Sequence, residues 1–128
     1  MNRLLILFFI LNFSCMSQPN TYEYADGSAN LYLLTNTQLR YVPVKPEESS
    51  TGMYSGGDPK TVNVSPTQYE ELKKQFDAAL GNTDIHITDR MKTSGMISRL
   101  GANEKQCIIK PNCTEMLQIE TLLKSILN

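Results

Sequence analysis

The chain has 128 residues, 20% of them charged, and a formal net charge of −1 with its one histidine, His86, neutral. That length supplies one ordinary domain with a single core rather than two. The near-even charge balance excludes the basic footprint of a nucleic-acid binder, and one histidine limits the acid–base chemistry on offer.

The first fifteen residues read as an address label rather than as structure. Arg3 is followed by an apolar run, Leu4 to Phe13, broken only by Asn12, and then by Ser14-Cys15. A bilayer span needs about 20 apolar residues, so this run is a secretory h-region and not an anchor helix. Ser14-Cys15 at its end resembles the signal peptide of bacterial lipoproteins, in which a small residue precedes a cysteine that is diacylated and becomes the new N-terminus. Asn12 stands where that family usually has leucine, the nearest being Leu11, so the box is of the relaxed kind seen in Bacteroidota and spirochaetes. The resemblance implies a signal peptide over residues 1–14 and a lipid with palmitate-type acyl chains on Cys15. It also implies anchoring in the bacterial cell envelope, on its periplasmic or surface face. Ordinary cleavage after Ser17, with Cys15 and Ser17 as the two small residues, is the alternative, and it would yield a secreted or periplasmic protein without a lipid. Loss of Arg3 with the leader takes the formal charge from −1 to −2.

Residues 15–20 then form the lipid-bearing cysteine and a polar, proline-containing tether, and residues 21–128 form a single domain. Thr21 to Tyr24 and Asn30 to Thr35 are β-prone pieces separated by the turn dipeptide Asp26-Gly27. A strand over Gln38 to Val44 follows, with Pro43 and Pro46 ending it or holding it at a sheet edge. Thr61 to Val64 makes another short strand. Ser65-Pro66-Thr67-Gln68 then combines an N-cap, proline at the first helical position and a capping-box glutamine. Tyr69, Leu72, Phe76, Ala79 and Leu80 recur at helical spacing until Gly81-Asn82 stops the helix. Asp84 to Thr88 alternates as a half-buried strand would, and Gly95 to Leu100 with Lys105 to Ile109 form a hairpin across Gly101 to Glu104. After Pro111-Asn112, Thr114 to Leu127 is a second helix with a broad apolar face. Strands, helix, strands, helix predict an α+β domain, one antiparallel sheet with two amphipathic helices packed on one face.

The exported domain keeps two cysteines, Cys107 and Cys113, and an even count in an oxidising compartment predicts one disulfide between them. Closing so short a loop contributes about 2 to 2.5 kcal/mol on the chain-entropy model.

Chemistry is sought first in the loop Ser49 to Thr61, SSTGMYSGGDPKT. Gly52 and Gly57 have the spacing of a phosphate-binding loop, but Asp58-Pro59 separates them from Lys60-Thr61, and the continuation is strand-like. Ser55-Gly56-Gly57 is similar to the nucleophile loop of trypsin-like peptidases, yet Met53-Tyr54 replaces the preceding Gly-Asp and His86 lies downstream in too short a chain. What remains is a glycine-rich turn that carries two anchors. Met53 and Tyr54 are the contact residues, and Ser55, Gly56 and Gly57 shape the turn that presents them. Asp84, His86 and Thr88 would share a strand face, with Asp89 adjacent, but their spacing matches no metal motif. The reading is therefore an envelope-tethered, non-catalytic binding module that captures a protein or small ligand, as an inhibitor, immunity factor or assembly accessory. It needs no cofactor, no metal and no nucleic acid, and it meets the membrane through its N-terminal lipid. The alternative is a small hydrolase using His86 with Asp84.

Overall fold

Strand side chains alternate between two faces, and here the alternation sorts tyrosines and aliphatics to one of them. The computed structural model describes residues 18–128, so the leader and Cys15 lie outside the described residues. The strands are β1 (Thr21–Ala25), β2 (Leu31–Leu34), β3 (Gln38–Val42), β4 (Lys60–Asn63), β5 (His86–Ile87), β6 (Gly95–Leu100) and β7 (Lys105–Ile109). They form one seven-stranded antiparallel sheet in the order β4-β3-β2-β1-β6-β7-β5. Helices α1 (Pro66–Gly81) and α2 (Thr114–Leu127) complete the α+β architecture that the patterning predicts.

Tyr22, Tyr24, Tyr32, Leu34, Leu39, Ile97, Cys107 and Ile109 are buried on the inner face. They form one core with Leu72, Phe76 and Leu80 of α1 and Ile119 and Leu123 of α2. Tyr22 stacks on Phe76 with ring centroids 5.2 Å apart. Its hydroxyl donates to Asp77 Oδ1 at 2.8 Å, and that carboxylate also meets Arg99 at 3.0 Å. Tyr24, two residues along the same face, donates to Glu120 Oε1 of α2 at 2.8 Å. The central strand is thus tied to a carboxylate on each helix, and each ring is buried with its polar tip satisfied.

Local chemistry accounts for where the elements begin and end. At the start of α1, Gln68 N–H donates to Ser65 Oγ at 3.1 Å and Ser65 N–H donates to Gln68 Oε1 at 2.8 Å, so both halves of the expected capping box form. β3 ends at Val42, short of the expected Val44, because Pro43 has no N–H to give the ladder. The strand expected over Asp84 to Thr88 shrinks to His86–Ile87, since Thr83–Ile85 is a 3-10 turn.

Direction along the strands matters for the site. β1 and β3 are each antiparallel to β2, so they run parallel to each other. The chain therefore enters β1 from Asn20 at one end of the sheet and leaves β3 for the segment 43–59 at the opposite end. Tyr69 fixes the entry end by donating to the Asn20 carbonyl at 2.6 Å.

Candidate functional site

The loop between β3 and β4 is built onto the sheet end by hydrogen bonds from residues far away in sequence. It opens with a 3-10 turn, Pro46–Glu48, closed by Lys45 N–H donating to Glu48 Oε2 at 3.1 Å. Ser49 Oγ then accepts from Tyr54 N–H at 3.3 Å while donating to the Pro46 carbonyl at 2.8 Å. Gly52 and Gly57 turn the chain at φ +69° and +95°, where a side chain would be strained.

Asn30, 4% exposed, is the bracket. Its Nδ2 donates to Asp26 Oδ2 at 3.0 Å and to Tyr54 Oη at 2.9 Å, and its Oδ1 accepts from Val44 N–H at 3.0 Å. Asp26 steadies the turn by accepting from Ser28 and Asn30 N–H groups, both at 2.9 Å. Tyr41 Oη donates to the Gly56 carbonyl at 2.6 Å, and Gly56 N–H donates to the Val44 carbonyl at 2.9 Å. Burial, with Asp26 and Tyr54 nearby, raises the Tyr41 hydroxyl above its ordinary pKa, so it stays a donor at neutral pH.

The residues expected to make the site separate into two kinds. Met53 is 85% exposed and projects from the loop, while Tyr54, 39% exposed, keeps its ring at the surface and its hydroxyl on Asn30. Tyr54 also lines a groove of about 800 Å3 with Ser28, Val44, Glu48, Thr51 and Lys92. Ser55 is exposed and accepts from Gly57 N–H at 3.2 Å. Gly56 is a place where no side chain fits: a Cβ there would lie 2.0 Å from Asn30 Oδ1 and 2.8 Å from Pro43 Cβ. Asn30, Asp26 and Tyr41 hold the loop in place, and the sequence reading did not single them out for it. The Asp26-Gly27 turn was the available signal, because an aspartate at that position holds the N–H groups that follow it.

The pair considered for hydrolysis is differently placed. His86 faces inward from β5, and its Nε2 donates to the Ala79 carbonyl of α1 at 2.8 Å. Asp84 sits in the exposed 3-10 turn, its carbonyl taken by Lys110 Nζ at 2.7 Å. Asp84, His86 and Thr88 therefore share no strand face, and among the described residues no hydrogen bond joins His86 to Asp84. Nor do three or more His, Cys, Asp or Glu side chains converge among the described residues. Lys60, next to the loop, points inward and donates to the Leu127 carbonyl at the end of α2.

Cys107 faces the helices from β7 and Cys113 is the N-cap residue of α2; both thiols are unbonded. Burial pushes the Cys107 thiol up to about 11, against a smaller lowering by Lys105. Comparison with protein-family models, curated proteins and solved structures found no match for the chain.

Proposed function

We propose that this protein is a non-catalytic binding module, tethered to the bacterial cell envelope through a lipid on Cys15, that captures a protein or small ligand with the loop between β3 and β4. The observation that carries the reading is Met53, 85% exposed on a loop whose backbone is braced by Asn30, just before β2, and by Tyr41 of β3. A flexible thioether beside a hydroxyl-anchored tyrosine is a pre-organised contact surface, which lowers the entropy lost on binding. Its position supports the reading as well. The loop stands at the end of the sheet opposite Asn20, where a tether would enter, so it would face away from the membrane.

The test is affinity capture from solubilised envelope with the wild type and with Met53→Ala. The wild type should retain a partner that the variant loses while keeping its melting temperature. Equal recovery by both would refute the loop as the contact. Attachment is tested separately by Cys15→Ser, which should move the protein from the membrane to the soluble fraction. If the variant stays bound and the wild type carries no acyl mass, the lipid is wrong.

The same reading joins Cys107 and Cys113 by exchange with an oxidised dithiol in the exported compartment. The bond would tie the first turn of α2 to β7, and reduction should lower the melting temperature by several degrees. Two titratable thiols in protein purified under oxidising conditions would rule it out.

A further inference from the structure

Both helices lie on the inner face of the sheet, and the opposite face carries no helix among the described residues. The strand registers order its side chains in rows. One row runs Thr61, Arg40, Leu33, Glu23, Ser98 and Gln106 across β4, β3, β2, β1, β6 and β7, with Gln106 Nε2 donating to Ser98 Oγ at 3.0 Å. The next, one pleat repeat along, runs Val42, Leu31, Ala25, Met96, Ile108 and Ile87 and is wholly apolar. Ala25 is buried and the other five are partly buried, so the row is a contiguous apolar band across the sheet rather than scattered surface hydrophobes.

Within the first row Arg40 and Glu23 flank Leu33 on either side. Strands lie about 4.8 Å apart, so Arg40 and Glu23 stand roughly 10 Å from each other across β2, with Leu33 between them. Among the described residues the ion pairs are Lys73–Asp77 and Arg99–Asp77, which leaves both charges unpaired. An axis lying between two facing sheets, parallel to β2 and over Leu33, carries Arg40 of each copy onto Glu23 of the other. The same rotation sets Thr61 against Ser98 and Val42 against Ala25, and brings the two copies of Leu33 and of Leu31 together.

We propose that this open face is a homodimer interface, two copies packed sheet to sheet about a two-fold axis along β2. The contact is isologous, so one favourable Arg40–Glu23 encounter occurs twice. Facing sheets sit about 10 Å apart, a gap that leucine, valine and methionine side chains fill. Five strands by three side-chain rows give a footprint of about 24 by 20 Å, near the lower limit of specific interfaces; the dimer proposed is a weak one, with a dissociation constant on the order of micromolar. An axis along the strands also preserves strand direction. Both copies of Asn20 then lie at one end and both recognition loops at the other. On the tethered reading above, two copies could stand on one membrane, where the raised effective concentration favours a weak dimer; the dimer itself does not depend on that reading.

Sedimentation equilibrium of the purified full chain in density-matched detergent tests the interface. Arg40→Glu and Glu23→Arg should each weaken the dimer at least roughly tenfold by setting like charges face to face. The double variant Arg40→Glu/Glu23→Arg should recover to within about threefold of the wild type. These side chains lie off the core, and thermal melts confirm that each variant is folded. A wild type that is monomeric at about 100 μM, well above the expected constant, overturns the proposal. So does a dimer whose strength is unchanged by the single reversals, or singly weakened variants that the double exchange fails to rescue.

Discussion

The inner face of the sheet and the loop at its end both use tyrosine, and they use it in opposite senses. On the inner face Tyr22 and Tyr24 bury their rings and spend their hydroxyls on Asp77 and Glu120, so ring and tip both hold helices in place. In the loop Tyr54 has only its tip engaged, by Asn30, and its ring stays at the surface beside Met53. The difference teaches that a tyrosine hydroxyl can fasten a side chain without burying it. Substitutions on the inner face should cost stability, whereas substitutions at the exposed part of the loop should cost binding.

Phe76 tests the first half of that contrast most severely. It is buried under Tyr22 and Tyr24, and Phe76→Ala would open a cavity between α1 and the central strand. The expected loss is about 3–5 kcal/mol, much of the stability of a domain this size. Chemical denaturation measures it, and a loss below about 1 kcal/mol would mean that the aromatic cluster is not the core.

Two neighbouring glycines divide the loop itself into a fixed part and a free part. Gly56→Ala drives a methyl group into Asn30 Oδ1 and should cost about 2–3 kcal/mol, because the displaced amide loses its bonds to Asp26, Val44 and Tyr54. Gly57→Ala meets open space and suffers only from φ +95°, for an expected loss of about 1–2 kcal/mol. Equal losses would show that the Asn30 bracket carries no particular weight.

These two glycines also mark what the sequence could disclose. Ser65 and Gln68 are three residues apart, so their capping box is written in one short string, and the hairpin across Gly101 to Glu104 is equally local. Asn30 and Gly56 are brought together only by the pairing of β2 with β3 and the return of the loop, and no local pattern encodes that meeting. The same holds for the sheet order, where β1 pairs with β6 across most of the chain. Asp84 to Thr88 misled for the converse reason. A 3-10 turn followed by two strand residues produces the same polar–apolar alternation as a five-residue strand.

Alkaline pH loosens the inner face without a mutation. Burial, then the charge of Glu120 and the hydrogen bond to it, raises the Tyr24 hydroxyl well above its ordinary value of 10.0. The folded state therefore favours the protonated ring. That stability is fully present below pH 10 and is lost as the pH rises above it, because the unfolded chain ionises first. Tyr24 alone should contribute a decline of about 1.4 kcal/mol per pH unit above 10. Melting temperatures from pH 8 to 11 measure the decline, and Tyr24→Phe should flatten part of it. An unchanged slope in that variant would remove Tyr24 from the account.

Met53→Ala has the smallest expected effect on the fold and bears most directly on the binding half of the contrast. With 85% of Met53 already in solvent, its truncation removes little packing, and the change in stability should stay within about 0.5 kcal/mol. Tyr54→Phe is the sharper companion, since it keeps the exposed ring and deletes only the acceptor for Asn30 Nδ2. That amide retains its bond to Asp26, so the expected loss is about 1 kcal/mol. If the loop is the contact surface, Met53→Ala should weaken capture of the envelope partner with the fold intact, while Tyr54→Phe should loosen the loop and largely spare the contact. The reverse pattern, Met53→Ala silent in capture and Tyr54→Phe destructive, would mean that the groove beside Tyr54 and Lys92 is the binding surface and that Met53 is incidental to it.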